Sequence, residues 1–500
     1  MLKTKKILAC LLAGAMAASC LAACSGSSNS SGSGGSSDGQ NEETVKLTWY
    51  MPVQAQADHD SVEEKWNEYL KDKLNCTLDI VEIDSGNYAQ RMQTTIAGQT
   101  QFDLCYTSHW LNDFYSNVNK NAYLPLDDLL DKYAPDLMEE MPVNGWEAVT
   151  VGGKIMAVPN QQVWAMTNAI YVVKEYVDKY NFDASKVKTL KDLEPLFAAV
   201  KADNPDIYPL FASSGGILDF LTIHMGYDEL AGRHIPGVIM LDDEDTTVIN
   251  QFELPQVQEH YKLMYEWSQK GYIRQDAATL QDDKAGLLAG KYIAEFDGTM
   301  KPGGKANHDA NFGKETVEIQ LSDSWLPTSG VTATLTAVSR TSAHPEKAVE
   351  FLNLVNTDKE LYNLITQGIE GKHYNKIDDD YISPIENSGY APNMDWAYGN
   401  QFLAYLKEGQ ESNVWEATLE LNESAKASPA LGFSFDSTPV RTEMASVGAV
   451  KDEYELSLDT GAVDPEKALP EFLEKLEAAG SQTIIDEIQK QLDEWKAAQK

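Results

Sequence analysis

The chain holds 500 residues, 43% hydrophobic and 23% charged, so it is long and apolar enough for roughly three domains at about 150 residues each, and it is not a disordered polymer. Its 77 acidic residues against 40 lysines and arginines leave a formal net charge of −37. That balance argues against nucleic acid as a partner, since phosphates need a basic face, and against a basic helix lying on a membrane.

In chain order, the first segment is a targeting sequence. Lys3, Lys5 and Lys6 precede an apolar stretch, Ile7 to Ala18, which is too short to span a bilayer as a mature helix. Leu21-Ala22-Ala23-Cys24 follows and resembles the lipobox of bacterial lipoproteins, in which small residues precede a cysteine that is acylated and becomes the new N-terminus. An ordinary secretory signal with an incidental cysteine is the alternative. Residues 1–23 then read as signal peptide and 24–43 as the lipidated cysteine with a Ser/Gly tether, whose 25–41 stretch has a random-coil reach of about 20–25 Å. Gly35-Ser36-Ser37-Asp38-Gly39 matches an esterase pattern but lacks the flanking strand and helix that a nucleophile elbow needs. Cys10 and Cys20 leave with the signal, so Cys76 and Cys105 remain inside the fold. They sit in separate predicted strands, as buried free thiols or as a disulfide pair of an exported protein.

Beyond the tether, strands and helices alternate. Val45 to Tyr50 reads as a strand, Asp60 to Leu74 as a helix with Val62, Trp66, Tyr69 and Leu70 at helical spacing, Cys76 to Ile83 as a strand, Asn87 to Ala97 as a helix and Phe102 to Tyr106 as a strand. This order predicts a parallel sheet covered by helices, with ligands bound outside the carboxyl ends of its strands. The loops Met51 to Asp58 and Thr107 to Asn112 are therefore the ones to watch. Val151 to Val158 reads as a hairpin, after which the pattern restarts: strands Ile170 to Val173, Pro209 to Ala212 and Tyr292 to Phe296, with helices Leu190 to Lys201 and Gln256 to Lys270. Val331 to Val338 reads as a long β-branched strand, Pro345 to Val355 and Lys359 to Gln367 as helices, and Pro465 to Lys500 as charged helix with an apolar stripe.

Several of these segments together resemble the extracellular solute-binding proteins of family 1, the receptor subunits of ABC importers. They are the lipobox and tether, VKLTWYMP (45–52), GQTQFDLCYTS (98–108), VGGKIMAVPNQQ (151–162) and the long stretch TAVSRTSAHPEKAVEFLNLVNTDKELYNLITQGIEGKHY (336–374). LGFSFDSTPVRTEMASVGAVKDEY (431–454) and EIQKQLDEWKAAQ (487–499) resemble the C-terminal extension of a Gram-positive lipoprotein subgroup. The resemblance implies an α/β fold of two lobes, each a mainly parallel sheet flanked by helices, joined by crossing segments near Val158-Pro159, Leu326-Pro327 and Ala391 to Trp396. Lobe one is then 44–158 plus 328–395, and lobe two 159–327 plus 396–500 with the helical extension. It further implies a monomer, lipid-anchored on the outer face of the cytoplasmic membrane of a Gram-positive bacterium, that closes over a solute, most often an oligosaccharide, and delivers it to ABC permease subunits. No cofactor, catalytic residue or nucleic acid partner belongs to that reading.

A sugar site needs aromatic faces for the ring's C–H side and planar polar groups for its hydroxyls. Trp110, Trp164, Trp396 and Phe435 lie in predicted loops or crossovers, where each either stacks on ligand or packs in the core. Trp49, Trp66, Trp267 and Trp495 read as core. Gln54, Ser108, Gln161, Ser213, Asp297 and Asn400 fall in predicted cleft-side loops, as hydroxyl partners or as turn and cap residues. Metal and catalytic motifs are weak: there is no His-Glu-x-x-His or Walker pattern, and Asp242 to Asp245 and Asp378 to Asp380 lack the EF-hand spacing. A peptide or other polar-solute receptor and a secreted glycoside hydrolase remain the alternatives.

Overall fold

Residues 43–280 and 283–498 are described by the computed structural model. The signal segment 1–23, Cys24 and the tether to residue 42 lie outside the described residues. Among the described residues no helix is long and apolar enough to cross a membrane.

Alternating burial along Val45–Met51 and Cys76–Glu82 builds the first sheet, whose strand order is Cys76–Glu82, Val45–Met51, Leu104–Thr107, Leu335–Val338, Val158–Pro159. Helices His59–Leu74, Ser85–Ala97, Pro345–Thr357 and Lys359–Gln367 accompany it. Each helix turns its apolar stripe inward; Val62, Trp66 and Leu70 of the first are buried at i, i+4 and i+8. The second sheet runs Thr316–Gln320, Ala169–Val173, Tyr292–Asp297, Tyr208–Leu210. Two large hydrophobic cores result, one around Trp49, Trp66 and Phe351, the other around Phe197, Trp267 and Ile293, with a small third cluster of Ile223, Leu241 and Trp325. The C-terminal helices Arg441–Asp459, Pro465–Ala479 and Ser481–Ala498 bury Val447, Leu458, Phe472, Ile484 and Leu492 in the second core.

Strand directions are mixed within this two-lobed α/β plan. Val45–Met51 is parallel to both neighbours, but Leu335–Val338 is antiparallel to Leu104–Thr107 and to Val158–Pro159. In the second sheet Ala169–Val173 is antiparallel to both its neighbours, and only Tyr292–Asp297 with Tyr208–Leu210 is parallel. The antiparallel strands adjoin the crossings: a chain arriving from the other lobe enters its sheet from the hinge end, against strands that finish there. The long strand expected over 331–338 is shorter for a related reason. Thr328–Val331 forms a helical turn after Pro327, and only Leu335–Val338 joins the sheet.

Three segments cross side by side. Trp325–Leu326 pairs in parallel with Lys426–Ala427, and Met166 exchanges backbone hydrogen bonds with Trp325 at 2.7 and 3.0 Å. The Asn422 side chain accepts from the N–H groups of Trp164 and Ala165 and donates to the Gln162 carbonyl. Gly330 is required here, because a Cβ at that position would lie 2.1 Å from the Trp164 carbonyl oxygen. The third crossing thus falls later in the chain than 391–396. Ala397, Tyr398 and Ala404 belong to the first core, and Trp415 and Ala425 pack on it, although the sequence reading assigns 396–425 to the second lobe.

Cys76 and Cys105 are buried free thiols, and burial raises them to about 11 and about 12. The strand Val45–Met51 lies between their strands, pairing Val45 with Cys76 and Tyr50 with Cys105. One intervening strand alone sets them about 9–10 Å apart, beyond the roughly 7 Å limit between bridged Cα atoms.

Candidate functional site

The strand Leu104–Thr107 ends in a loop that folds on its own polar groups. The Ser108 hydroxyl accepts from the N–H groups of Trp110 and Leu111 and donates to the Leu111 carbonyl. Asn112, at φ 54°, donates its side-chain amide to the Tyr106 carbonyl. The loop holds Trp110 outward with 54% of its surface exposed. The indole N–H donates to the Ala333 carbonyl at 2.9 Å, and Tyr106 donates its hydroxyl to the same carbonyl at 3.0 Å. Tyr106 meets Trp110 edge to face at 6.2 Å and Trp396 at 6.4 Å. The result is an oriented aromatic platform at the carboxyl end of a central strand. More than half of the Trp110 surface is thus left bare while its indole N–H is held in one orientation.

In the second lobe the short helical turn Leu218–Phe220 lies against the end of the strand Tyr292–Asp297. Phe220 is 37% exposed, and its Cα lies 3.6 Å from where a Cβ on Gly298 would stand. His109 of the first lobe presents surface to solvent but is ringed by protein. Loss of solvation lowers it to about 4, against weaker opposing pulls from the Thr332 carbonyl and the charge of Asp219 in the second lobe. Burial lowers Lys301 as well, while Asp297 in its own lobe and Asp395 on the opposite side pull it up.

Asp297 is built into a relay. His308 places Nδ1 2.6 Å from Glu295 and Nε2 3.0 Å from Asp297, and stacks on Tyr171 at 3.6 Å. Burial opposes the charge on His308, but the bonds to Asp297 and Glu295 outweigh it and raise the group to about 9. Burial likewise opposes ionisation of Asp297, and His308 with the Thr299 N–H reverses that and keeps it below its ordinary range. A histidine raised in this way contributes stability that is complete below its unfolded pKa, near 6.5, and lost as pH rises through about 9. The melting-temperature deficit of His308→Gln is accordingly expected to be largest near pH 6 and to shrink between pH 7 and 10, which a pH series of melts measures.

The other sequence candidates fall in different places. Trp396 is partly buried beside Tyr106, and Gln54 is exposed in the loop after the first strand. Trp164 is only 3% exposed: it packs in the first core, donates its indole N–H to the Asn160 carbonyl and covers Gly145. Phe435, 8% exposed, packs in the second core. Ser108 and Ser213 accept from backbone N–H groups in their own turns. Gln161 and Asn400 are buried together at a backbone bridge, with the Asn400 amide donating to the Asn356 carbonyl. Tyr106 joins Trp110 and Trp396 in one set of ring contacts, Asp219 acts on His109, and Asp297 with Asp395 acts on Lys301; Tyr106, His109, Asp219, Phe220 and Lys301 are absent from the sequence candidates. The only signal for Tyr106 was its place at the end of a predicted strand. Among the described residues no group of three or more His, Cys, Asp or Glu is arranged to hold a metal ion. The runs at Asp242 to Asp245 and Asp378 to Asp380 turn carboxylates onto their own backbone N–H groups.

Comparison with known proteins agrees with this architecture. Residues 429–497 match a domain of unknown function, DUF3502. A carbohydrate ABC transporter substrate-binding protein of Streptococcus pneumoniae is 28% identical over 86% of each chain. The crystal structure of the N-glycan transport solute binding protein NgtS from S. pneumoniae is similar with a TM-score of 0.82 and 26% identity, covering 91% of this chain and all of that one. The NgtS complex with Man5GlcNAc gives 0.73 and 26%, covering 91% and 99%. Residues 56–361, more than half of the chain, match the family model of the bacterial extracellular solute-binding protein, and the chain belongs to that family.

Proposed function

We propose that this protein is the receptor of an ABC importer for an oligosaccharide, which it captures between its lobes without covalent chemistry and hands to permease subunits. The observation that carries the reading is the bare, hydrogen-bonded Trp110 platform beside His109, which feels the charge of Asp219 from the second lobe. Apolar ring faces stack on the indole, and Asp219, Asp297 and His109 offer polar partners to hydroxyls. Similarity to a carbohydrate transporter subunit and to an N-glycan transport protein supports the same substrate class. Lobe closure is supported by the hinge of three short crossings.

A panel of oligosaccharides that includes Man5GlcNAc tests this. A ligand at about 100 times its Kd stabilises the native state by about 2.7 kcal/mol, a readily measured thermal shift. The expected result is a raised melting temperature with every sugar recovered intact. Cleavage products point to a glycoside hydrolase instead, and a shift with peptides alone to a peptide receptor.

Anchoring through Cys24 belongs to the same proposal. Cys24→Ala is expected to abolish incorporation of labelled fatty acid, because the thioether needs that sulfur, and to leave the protein unprocessed or released. Labelling that persists in the variant contradicts the lipobox.

A further inference from the structure

We infer that the C-terminal extension is a positioning element for the cleft, holding through Asp459 the loop that brings Asp219 and Phe220 to the second wall of the site. This rests on the interlobe reading above. Asp459, at the end of the helix Arg441–Asp459, has no exposed surface. Its carboxylate accepts from the backbone N–H groups of Ile217 and Leu218, the latter at 3.0 Å, and lies 2.6 Å from His260 Nε2. One side chain of the extension therefore ties together three elements: its own helix, the helix Pro255–Gln269 and the turn Leu218–Phe220.

The loop is held at close quarters. Gly216 has φ 80°, and a Cβ there would stand 2.8 Å from the Asp459 carboxylate. One helical turn earlier, Glu455 is also buried and lies 3.0 Å from His234 Nδ1. The neighbouring Arg233 donates to the Gly215 carbonyl and pairs with Asp219 at 2.8 Å, so both ends of the loop are tied. The apolar stripe of Phe472, Ile484, Ile488 and Leu492 already attaches the extension to the second core. A buried carboxylate adds nothing to such an attachment unless every lone pair is used, because an unpartnered buried charge is costly. Here its partners are the amides immediately before Asp219 and Phe220. Without them, those N–H groups would be left unpaired and the loop would have to be ordered at the moment of binding.

Hydrogen exchange of the ligand-free protein and affinity for Man5GlcNAc test the inference together. Asp459→Ala is expected to speed exchange across 215–220 while the helices 465–479 and 481–498 stay protected. It should also weaken glycan binding by about ten-fold or more, the cost of ordering one or two side chains and a short loop. Asp459→Asn keeps one oxygen for both N–H groups and an NH₂ for His260, and should restore both readings. Leu492→Ala, a packing change in the same extension, should lower the melting temperature and leave affinity of the folded protein unchanged. If Asp459→Ala does not fold, Gly216→Ala crowds the carboxylate from the loop side and carries the same expectation. Unchanged exchange across 215–220, or faster exchange with unchanged affinity, overturns the inference. Failure of the wild type to bind any glycan overturns the carbohydrate reading instead, and the exchange arm still decides whether Asp459 holds the loop.

Discussion

Trp110→Ala is expected to weaken oligosaccharide binding about thirty-fold or more, since truncating a well-placed aromatic anchor costs about 2 kcal/mol or more and each 1.4 kcal/mol is tenfold in affinity. The melting temperature should stay close to that of the wild type, because more than half of the ring is already in solvent and contributes little burial. What the fold loses is one hydrogen bond to the Ala333 carbonyl, which Tyr106 also supplies. Calorimetric titration and a thermal melt on the same sample separate the two effects. Normal affinity with early melting assigns the ring a structural part and moves the platform to Trp396.

Trp66→Ala is expected to show the opposite pattern. Trp66 is fully buried, donates its indole N–H to the Leu78 carbonyl at 2.9 Å and meets His59 edge to face at 5.4 Å. Large-to-small truncation of such a ring costs about 3–5 kcal/mol, from lost transfer energy and the cavity left behind. The deficit should appear in denaturant unfolding of the first lobe. The folded fraction should still bind glycan normally, since the ring is fully enclosed in the first core against the middle of the strand Cys76–Glu82. A loss of affinity in folded Trp66→Ala would mean that the two faces of the sheet are coupled.

The contrast between these two tryptophans was legible in the sequence, and it explains what else was. Trp66 recurs with Val62 and Leu70 on one stripe, a local periodic signal that needs no knowledge of the rest of the chain. Trp110 follows a strand, and in an α/β sheet that position alone points to the ligand side. Trp164 looked similar, in a polar stretch after Pro159, but its surroundings come from elsewhere: Met141 and Gly145 cover it, and Asn422 holds its backbone. The surroundings of Phe435 likewise come from distant segments, so its local sequence leaves stacking and core packing equally open. The third crossing lies later than the sequence pattern suggests because nothing local marks Lys426–Ala427; a two-residue strand gains its meaning from Trp325–Leu326, a hundred residues away in the chain. The Asp459 cluster was invisible for a further reason. A buried carboxylate in a charged helix has the same local pattern as an exposed one.

Capture, as proposed, is an oligosaccharide drawing the two lobes together around itself. A ligand that touches both walls favours the closed state by its differential affinity. Small-angle X-ray scattering with and without a saturating glycan from the panel, starting with Man5GlcNAc, measures this directly. The expected result is a smaller radius of gyration in the presence of the glycan and no change with a sugar that calorimetry shows not to bind. A scattering profile that stays the same at saturation would contradict capture by closure.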